Sequence, residues 1–169
     1  SQESVQHSLL VGRLAGYLAS EVGIAPAQCL KVEISGLLHN ISSLDRYAQP
    51  GYRIGDEQSW RALSPIEGIG EIADWCRLLH DVDGKTPYPF EAGILNASHH
   101  LATMLGKGPS LRAFQAQLMK TTDILPGLAQ LARQRSAALL QIAQETAKER
   151  RDLVTRIEQL NKAINREKR

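Results

Sequence analysis

This sequence is short of several residue types, and each shortage excludes a class of protein. Only 5% of its 169 residues are aromatic, and it has two cysteines. Two isolated cysteines cannot form the disulfide framework of a small secreted domain, so we expect Cys29 and Cys76 to be buried free thiols. No stretch approaches the roughly 20 apolar residues that a membrane helix requires, and the first residues lack the features of a signal peptide. These absences indicate a cytoplasmic protein with no membrane partner in this part of the chain.

The chain also lacks a large excess of charge of one sign. The net charge is +2. Residues 1–135 carry 12 basic and 13 acidic side chains, and residues 136–169 carry 8 basic and 5 acidic. A nucleic-acid-binding surface needs a field of one sign, so we expect no nucleic-acid partner. The chain does not begin with methionine, which suggests that it is part of a longer protein.

Sustained period-two alternation, the signature of strands, is also absent, and the predicted fold class is all-α. In the first 45 residues, helical spacing of apolar residues predicts two helices. Gly23 ends the first, and Pro26 lies in the first turn of the second, where its missing N–H costs nothing. The segment 47–64 is rich in glycine, proline and polar residues, and is predicted to be a loop. Ser64-Pro65 then predicts the start of a helix that continues to Leu79.

Two further helices are predicted over residues 90–105 and 110–122, on either side of the breaker Gly106-Lys107-Gly108-Pro109. We place a domain boundary after them. Residues 1–125 form a helical domain, and residues 126–169 form a C-terminal signalling helix.

The C-terminal segment has no glycine or proline after Gly127, and its apolar residues recur at spacings of four and three. This heptad pattern predicts a long helix with a narrow apolar seam, which needs a partner helix to bury it. Thr146 and Arg150 fall on the seam, where polar residues weaken a coiled coil but fix its register. We favour a homodimer, and the alternative is a helix folded back on its own domain. The predicted seam residues are Leu139, Ala143, Leu153, Ile157, Leu160 and Ile164.

Histidines at the ends or starts of predicted helices are the main candidates for chemistry. His7, His39, His80 and His99 recur at intervals typical of a metal-dependent phosphohydrolase. A hydrolytic dinuclear site uses imidazole nitrogens as neutral ligands, and it uses aspartates to bridge two cations and activate water. Here the residue after His39 is Asn40, where such a site would need an aspartate.

The order of these histidines and their neighbours resembles the HD-GYP family of phosphodiesterases, which cleave cyclic di-GMP. Segment His7–Ala15 is similar to the first histidine helix of the family, and Gly36–Ile41 to its Gly-Leu-Leu-His-Asp-Ile stretch. Segment Glu71–Pro89 resembles its His-His-Glu and Gly-Tyr-Pro region, and Ala92–His99 the helix with its last metal-binding aspartate. The resemblance covers roughly residues 5–122, and it implies an HD-domain-like helical bundle.

Departures from the family pattern argue against catalysis. Asn40 replaces the metal-bridging aspartate, and an amide cannot bridge two cations as a carboxylate does. Leu79 replaces a histidine, Asp81 a glutamate and His99 the final aspartate, and no histidine lies between His39 and His80. Pro87 replaces the glycine of Gly-Tyr-Pro. We therefore expect no catalytic residues and no enzyme activity.

The sequence favours a catalytically inactive HD-GYP-like domain of a bacterial signalling protein. Such a domain would dimerise and relay a signal through its coiled coil to a covalently linked output domain, for which resemblance to such proteins suggests a GGDEF diguanylate cyclase. We expect no cofactor. The alternatives are a sensor that holds a single metal ion or haem with His7, His39, His80 and His99, and a residual phosphodiesterase.

Overall fold

The protein is helical throughout the part of the chain that its structure, a computed structural model, describes. This part comprises residues 2–41, 57–79 and 87–167, and every regular element in it is an α-helix, which confirms the predicted all-α class. The helices, numbered in chain order, are α1 (Gln2–Glu21), α2 (Pro26–Leu38), α3 (Glu57–Leu63), α4 (Gly70–Leu78), α5 (Phe90–Leu105), α6 (Leu111–Lys120), α7 (Pro126–Gln134) and α8 (Ser136–Glu167).

Helices α1 and α2 form a closely packed pair at one side of the core. The turn between them contains Gly23 in the left-handed region, at φ +82°, where its N–H donates to the carbonyl oxygen of Ser20. Pro26 is the first residue of α2, as predicted. The two helices cross at Gly12 and Gly36. A Cβ on Gly36 would lie 2.6 Å from the Cα of Gly12, so the backbones are in direct contact there.

Helix α5 runs through the centre of the bundle. Its residues 92–98 are all buried, and it packs against α1, α2, α4, α6, α7 and α8. Eleven of its sixteen residues are buried, and most of these are Ala, Ile or Leu, so α5 supplies a large part of the core. Within this core, the Asn96 amide donates to the carbonyl oxygen of Leu79 at 2.9 Å and ties α4 to α5.

Two predictions about residues 47–79 need correction. Helix α3 lies in a segment predicted to be a loop. It packs against α4, with Leu63 buried in the core and the Trp60 Nε1 donating to Asp74 Oδ1. Ser64-Pro65 does not begin a helix. The Ser64 N–H donates to the Trp60 carbonyl oxygen at 2.7 Å in a turn that ends α3, and α4 begins only at Gly70. The rest of the predicted loop, residues 47–56, lies outside the described residues.

The C-terminal segment is two helices rather than one. Helix α7 ends at Gln134, and Arg135 interrupts the helical geometry with φ −109° and ψ 19°. The Arg135 Nε donates to Glu21 Oε2 at 2.7 Å, and the buried Ser136 accepts from Gln115. These contacts dock the junction on α1 and α6. Leu128 and Leu139 belong to the same hydrophobic core as α1 and α5, so this core extends past the boundary predicted at residue 125.

None of the described helices is long and apolar enough to cross a membrane.

Candidate metal centre

Three histidines from three helices converge beside the α1–α2 crossing. His7 lies on α1, His39 caps the C-terminus of α2, and His99 lies on α5. Their potential ligand nitrogens all lie within 4.8 Å of one another. The ring centroids are separated by 5.6 Å for His7 and His39, 5.0 Å for His7 and His99, and 5.4 Å for His39 and His99. We call these three residues the histidine cluster.

Local packing explains why the cluster forms. His7 lies on the same face of α1 as Leu10, Val11 and Leu14, which are buried. The Gly12–Gly36 contact brings the end of α2 close to α1, and His39 follows Gly36 by three residues. Helix α5 then presents His99 from the centre of the bundle.

The orientation of His39 is fixed by its own helix. Its Nδ1 lies 2.6 Å from the carbonyl oxygen of Gly36. Since a carbonyl oxygen can only accept, Nδ1 carries the hydrogen, and Nε2 retains its lone pair. Metal-binding histidines typically donate one ring N–H to a backbone carbonyl or carboxylate in this way and bind the metal with the other nitrogen. The side chain is completely buried, so the ring is held in one position.

His7 and His99 are joined directly. The His7 Nε2 and the His99 Nδ1 lie 3.1 Å apart, so one of these nitrogens donates and the other accepts. Burial lowers the pKa of His7 below its ordinary value, because a charged ring is poorly solvated there. The lowered pKa favours the neutral ring, which is the state in which imidazole binds a metal. For both nitrogens to face one ion, the donor must move its hydrogen to its other ring nitrogen.

The cluster has the donors for one metal ion and lacks those for two. In a tetrahedral site with metal–nitrogen bonds of about 2.0–2.1 Å, neighbouring donors are roughly 3.3 Å apart. The 3.1 Å separation between the His7 Nε2 and the His99 Nδ1 matches this spacing, and the three residues all have a potential ligand nitrogen within 4.8 Å of the others. In the described part of the chain, no Asp or Glu oxygen joins the group. Three imidazoles without a bridging carboxylate suit a single Zn²⁺, Fe²⁺, Ni²⁺ or Cu²⁺ ion.

Three of the four predicted metal ligands are thus brought together. The fourth, His80, lies outside the described residues, as does Asp81. Leu79, which stands where the family has a histidine, is completely buried in the hydrophobic core. Asn40 directly follows His39 and is half-buried.

The predicted seam residues separate into two groups on α8. Leu139 and Ala143 are buried in the core of their own chain, so for them the alternative of a helix folded back on its domain describes the packing. They do not belong to an intermolecular seam, because their faces are already covered. Leu153, Ile157, Leu160 and Ile164 are exposed. All residues from 151 to 166 are exposed, and we call this stretch the exposed half of α8.

Polar contacts between α1 and residues 146–150 of α8, just before the exposed half, were not predicted from the sequence. Arg13 of α1 donates to Thr146 Oγ1 at 3.0 Å and to Glu149 Oε2 at 2.6 Å, and Arg150 donates to Gln6 Oε1. The signal was present in the heptad pattern, because Thr146 and Arg150 are the seam positions with polar side chains. They are polar because they meet α1 rather than a second copy of α8.

Comparison with known proteins gives no significant match to a family model, a curated protein or a solved structure. The resemblance to the HD-GYP family therefore stays a prediction from the residues quoted above.

Proposed function

We propose that this chain is a catalytically inactive, HD-GYP-like regulatory domain that dimerises through the exposed half of α8. In this proposal the helix relays a signal from the bundle to a covalently linked output domain, for which a diguanylate cyclase is one candidate. The proposal rests on one observation. The second half of α8 carries an apolar stripe that the bundle does not bury, whereas the first half of the same helix packs against the bundle.

The exposed stripe is regular enough to serve as a dimer seam. Leu153, Ile157, Leu160 and Ile164 are between 49% and 61% exposed, although such side chains are ordinarily buried. Their spacings of four, three and four place the leucines at d positions and the isoleucines at a positions of a heptad. In parallel coiled coils, isoleucine at a with leucine at d favours two strands. A second copy of the same helix is therefore the partner that best fits this surface.

The composition of the histidine cluster supports the non-catalytic part of the proposal. Hydrolysis by a dinuclear site depends on carboxylates that bridge the cations and keep their combined charge low. The described cluster contains imidazoles alone, and Asn40 offers an amide at the position where the family has its bridging aspartate.

Paired substitutions on α8 test the dimer. In the seam variant, Ile157 and Leu160 are both replaced by glutamine, which removes two apolar side chains from the seam. In the control variant, Glu158 and Lys162, which are exposed and lie off the seam, are both replaced by glutamine. We expect the seam variant to sediment as one chain and the control variant as two. Both should keep the thermal unfolding of the bundle, because all four positions are exposed. A seam variant that sediments like the original chain would contradict the proposed interface.

A second candidate function, metal sensing, is favoured by the geometry of the histidine cluster. Three imidazole nitrogens within 4.8 Å of one another suit one bare ion. They suit haem less well, because haem iron offers only two axial positions on opposite sides of a wide ring. A metal bound by α1, α2 and α5 would link two of the helices that pack against α8, namely α1 and α5.

Metal analysis after incubation with Zn²⁺, Ni²⁺ or Fe²⁺ and removal of excess ion tests this candidate. We expect about one ion per chain, retained by His100→Gln and lost in His7→Gln, because His100 is the neighbouring histidine outside the cluster. Equal metal content in the two variants, or none in the original chain, would exclude the candidate without affecting the dimer proposal.

A further inference from the structure

The exposed stripe of α8 continues the face by which the same helix packs on its own bundle. Seam residues recur at spacings of four and three without interruption from Leu139 to Ile164, and α8 is one continuous helix over this stretch. Leu139, Ala143 and Thr146 are buried, whereas Leu153 and the seam residues after it are exposed. The seam is therefore a single face of α8, and the bundle covers only its first half.

Helix α1 covers this first half and runs antiparallel to α8. Arg135, just before the start of α8, donates to the last residue of α1. Further along α8, Thr146 accepts from Arg13, and Arg150 donates to Gln6. The contacts thus move from the end of α1 towards its start as α8 proceeds.

Helix α1 lies directly over the seam rather than beside it. A cleft lies on each side of α1, between α1 and α8. The borders of the two clefts on α8 include Leu140, Gln144 and Ala147 on one side and Ile142, Glu145 and Glu149 on the other. On a helix of 3.6 residues per turn, the seam lies between these two sets. Helix α1 therefore occupies the place that a partner helix would take on the first half of the seam.

A second copy that paired in parallel would bring two α1 helices into the same space. In both copies, α1 covers the seam as far as Arg150, immediately before the stripe that would pair. The axes of packed helices are about 8–10 Å apart, and a helix with its side chains is roughly 10–12 Å wide. Two α1 helices do not fit between two α8 helices at this spacing, so parallel pairing would require α8 to bend or to release α1.

Antiparallel pairing avoids this conflict, because it places the two bundles at opposite ends of the paired helices. The stripe is self-complementary in this direction. Leu153 of one copy meets Ile164 of the other, and Ile157 meets Leu160. Two-fold symmetry repeats these contacts, so every layer packs one isoleucine against one leucine.

In the antiparallel arrangement, the α8 helix of the second copy follows the same path as α1. Helix α1 begins at Gln2, close to its contact with Arg150, and the second copy's helix covers the seam from Leu153 onward. Both run antiparallel to the first α8, so the C-terminal end of one meets the N-terminal end of the other. These ends carry opposite partial charges of the helix dipole, and their approach is favourable.

We propose that two copies pair antiparallel through the exposed half of α8, so that the C-terminal end of each α8 lies beside the start of α1 in the other copy. This orientation rests on the proposed function, which leaves the direction of pairing open. It has a consequence for the proposed relay, because an output domain linked after α8 would lie beside the bundle of the other copy.

Distances between nitroxide spin labels test the orientation. Each chain carries one label, at Asp152→Cys, Gln159→Cys or Arg166→Cys, which are exposed positions on one face away from the seam. All chains also carry Cys29→Ser, and Cys76 stays unlabelled because it is buried.

We expect three unequal distances in a pattern set by the two-fold axis, which passes close to residue 159. The two labels of Gln159→Cys should be almost level along the helix axis. Those of Asp152→Cys and of Arg166→Cys should be separated along it by roughly 20 Å, given a rise of 1.5 Å per residue. The three variants thus serve as controls for one another.

Three equal distances would show parallel pairing and overturn this inference while the proposed dimer stands. Light scattering of the same samples identifies the other failure. Chains that stay monomeric would remove the proposed dimer and, with it, the antiparallel orientation.

Discussion

Gly36 illustrates how one residue sets the geometry of the candidate site. It lets the backbones of α1 and α2 touch, and it supplies the carbonyl oxygen that orients His39. A larger residue would therefore disturb both the packing and the cluster. Gly36 is part of the segment that resembles Gly-Leu-Leu-His-Asp-Ile, but its contact with Gly12 depends on a helix crossing that no local pattern reveals.

Gly36→Ala is expected to destabilise the fold by about 1–3 kcal/mol or more, because the new Cβ would collide with the α1 backbone, which has no flexible side chain to move aside. A Cβ at that position would lie 2.6 Å from Gly12 Cα and 2.7 Å from Gly12 N. Gly127→Ala is the control, since a Cβ there meets nothing within 4 Å. It should be neutral or stabilise by up to about 1 kcal/mol. Chemical denaturation measures both, and equal stabilities for the two variants would contradict the close crossing.

The two cysteines should differ in reactivity. Cys76 is completely buried, and burial raises the pKa of its thiol to about 12. Because the thiolate is the reactive form, Cys76 stays protonated and protected at pH 8. Cys29 is only partly buried. We expect a thiol reagent to label one cysteine of the native protein quickly and the other only on unfolding, and mass spectrometry should locate the fast site at Cys29. Fast labelling of Cys76 would show that the core opens readily there.

At the scale of helices, α6 has a defined start that can be tested. The Ser110 hydroxyl accepts from the backbone N–H of Ala113 at 3.2 Å and caps the helix. Ser110→Ala should cost about 1 kcal/mol in the free energy of unfolding. Ser110→Asp keeps a capping oxygen and adds favourable charge at the helix N-terminus. Its free energy of unfolding should therefore differ from that of the original chain by only a few tenths of the cost of Ser110→Ala. Denaturant titrations compare the three chains, and equal losses for both variants would exclude the cap.

Helices with strong local signals were predicted well from the sequence, and those fixed by tertiary contacts were not. The breaker after Leu105 and the proline of α2 mark their boundaries because glycine and proline act locally. Helix α3 escaped prediction because its seven residues are held by tertiary contacts, such as the burial of Leu63 and the hydrogen bond from the Trp60 Nε1 to Asp74 of α4. The junction at Arg135 also escaped, since its contact with Glu21 spans more than a hundred residues.

For the histidine cluster too, the sequence indicates the residues but not the tertiary contacts that arrange them. The sequence identified His7, His39 and His99 as candidate ligands, and the structure brings them together. Their separations and the tautomer of His39 follow from helix crossings and from one backbone carbonyl, which spacing along the chain cannot provide. The split of α8 into docked and exposed halves was likewise hidden, because a heptad pattern looks the same whether its seam meets a bundle or another helix.

On the scale of the whole molecule, α8 joins two surfaces. Its first half completes the core with Leu139, and its second half presents an uncovered apolar stripe. The polar contacts of Arg13 and Arg150 lie between them. In the proposed relay, a change at the junction would redirect the exposed half while the core remains intact. Coiled-coil helices respond to such changes through discrete packed states.

Dimerisation through the exposed half of α8 is tested by the mass of the intact chain in solution, measured by light scattering beside a version that stops at Arg150. We expect the intact chain to have twice the mass of a single 18.6 kDa chain. We also expect the shortened chain to be a monomer with unchanged thermal unfolding. An intact chain that remains a monomer at tens of micromolar, or a shortened chain that still pairs, would contradict the proposed dimer.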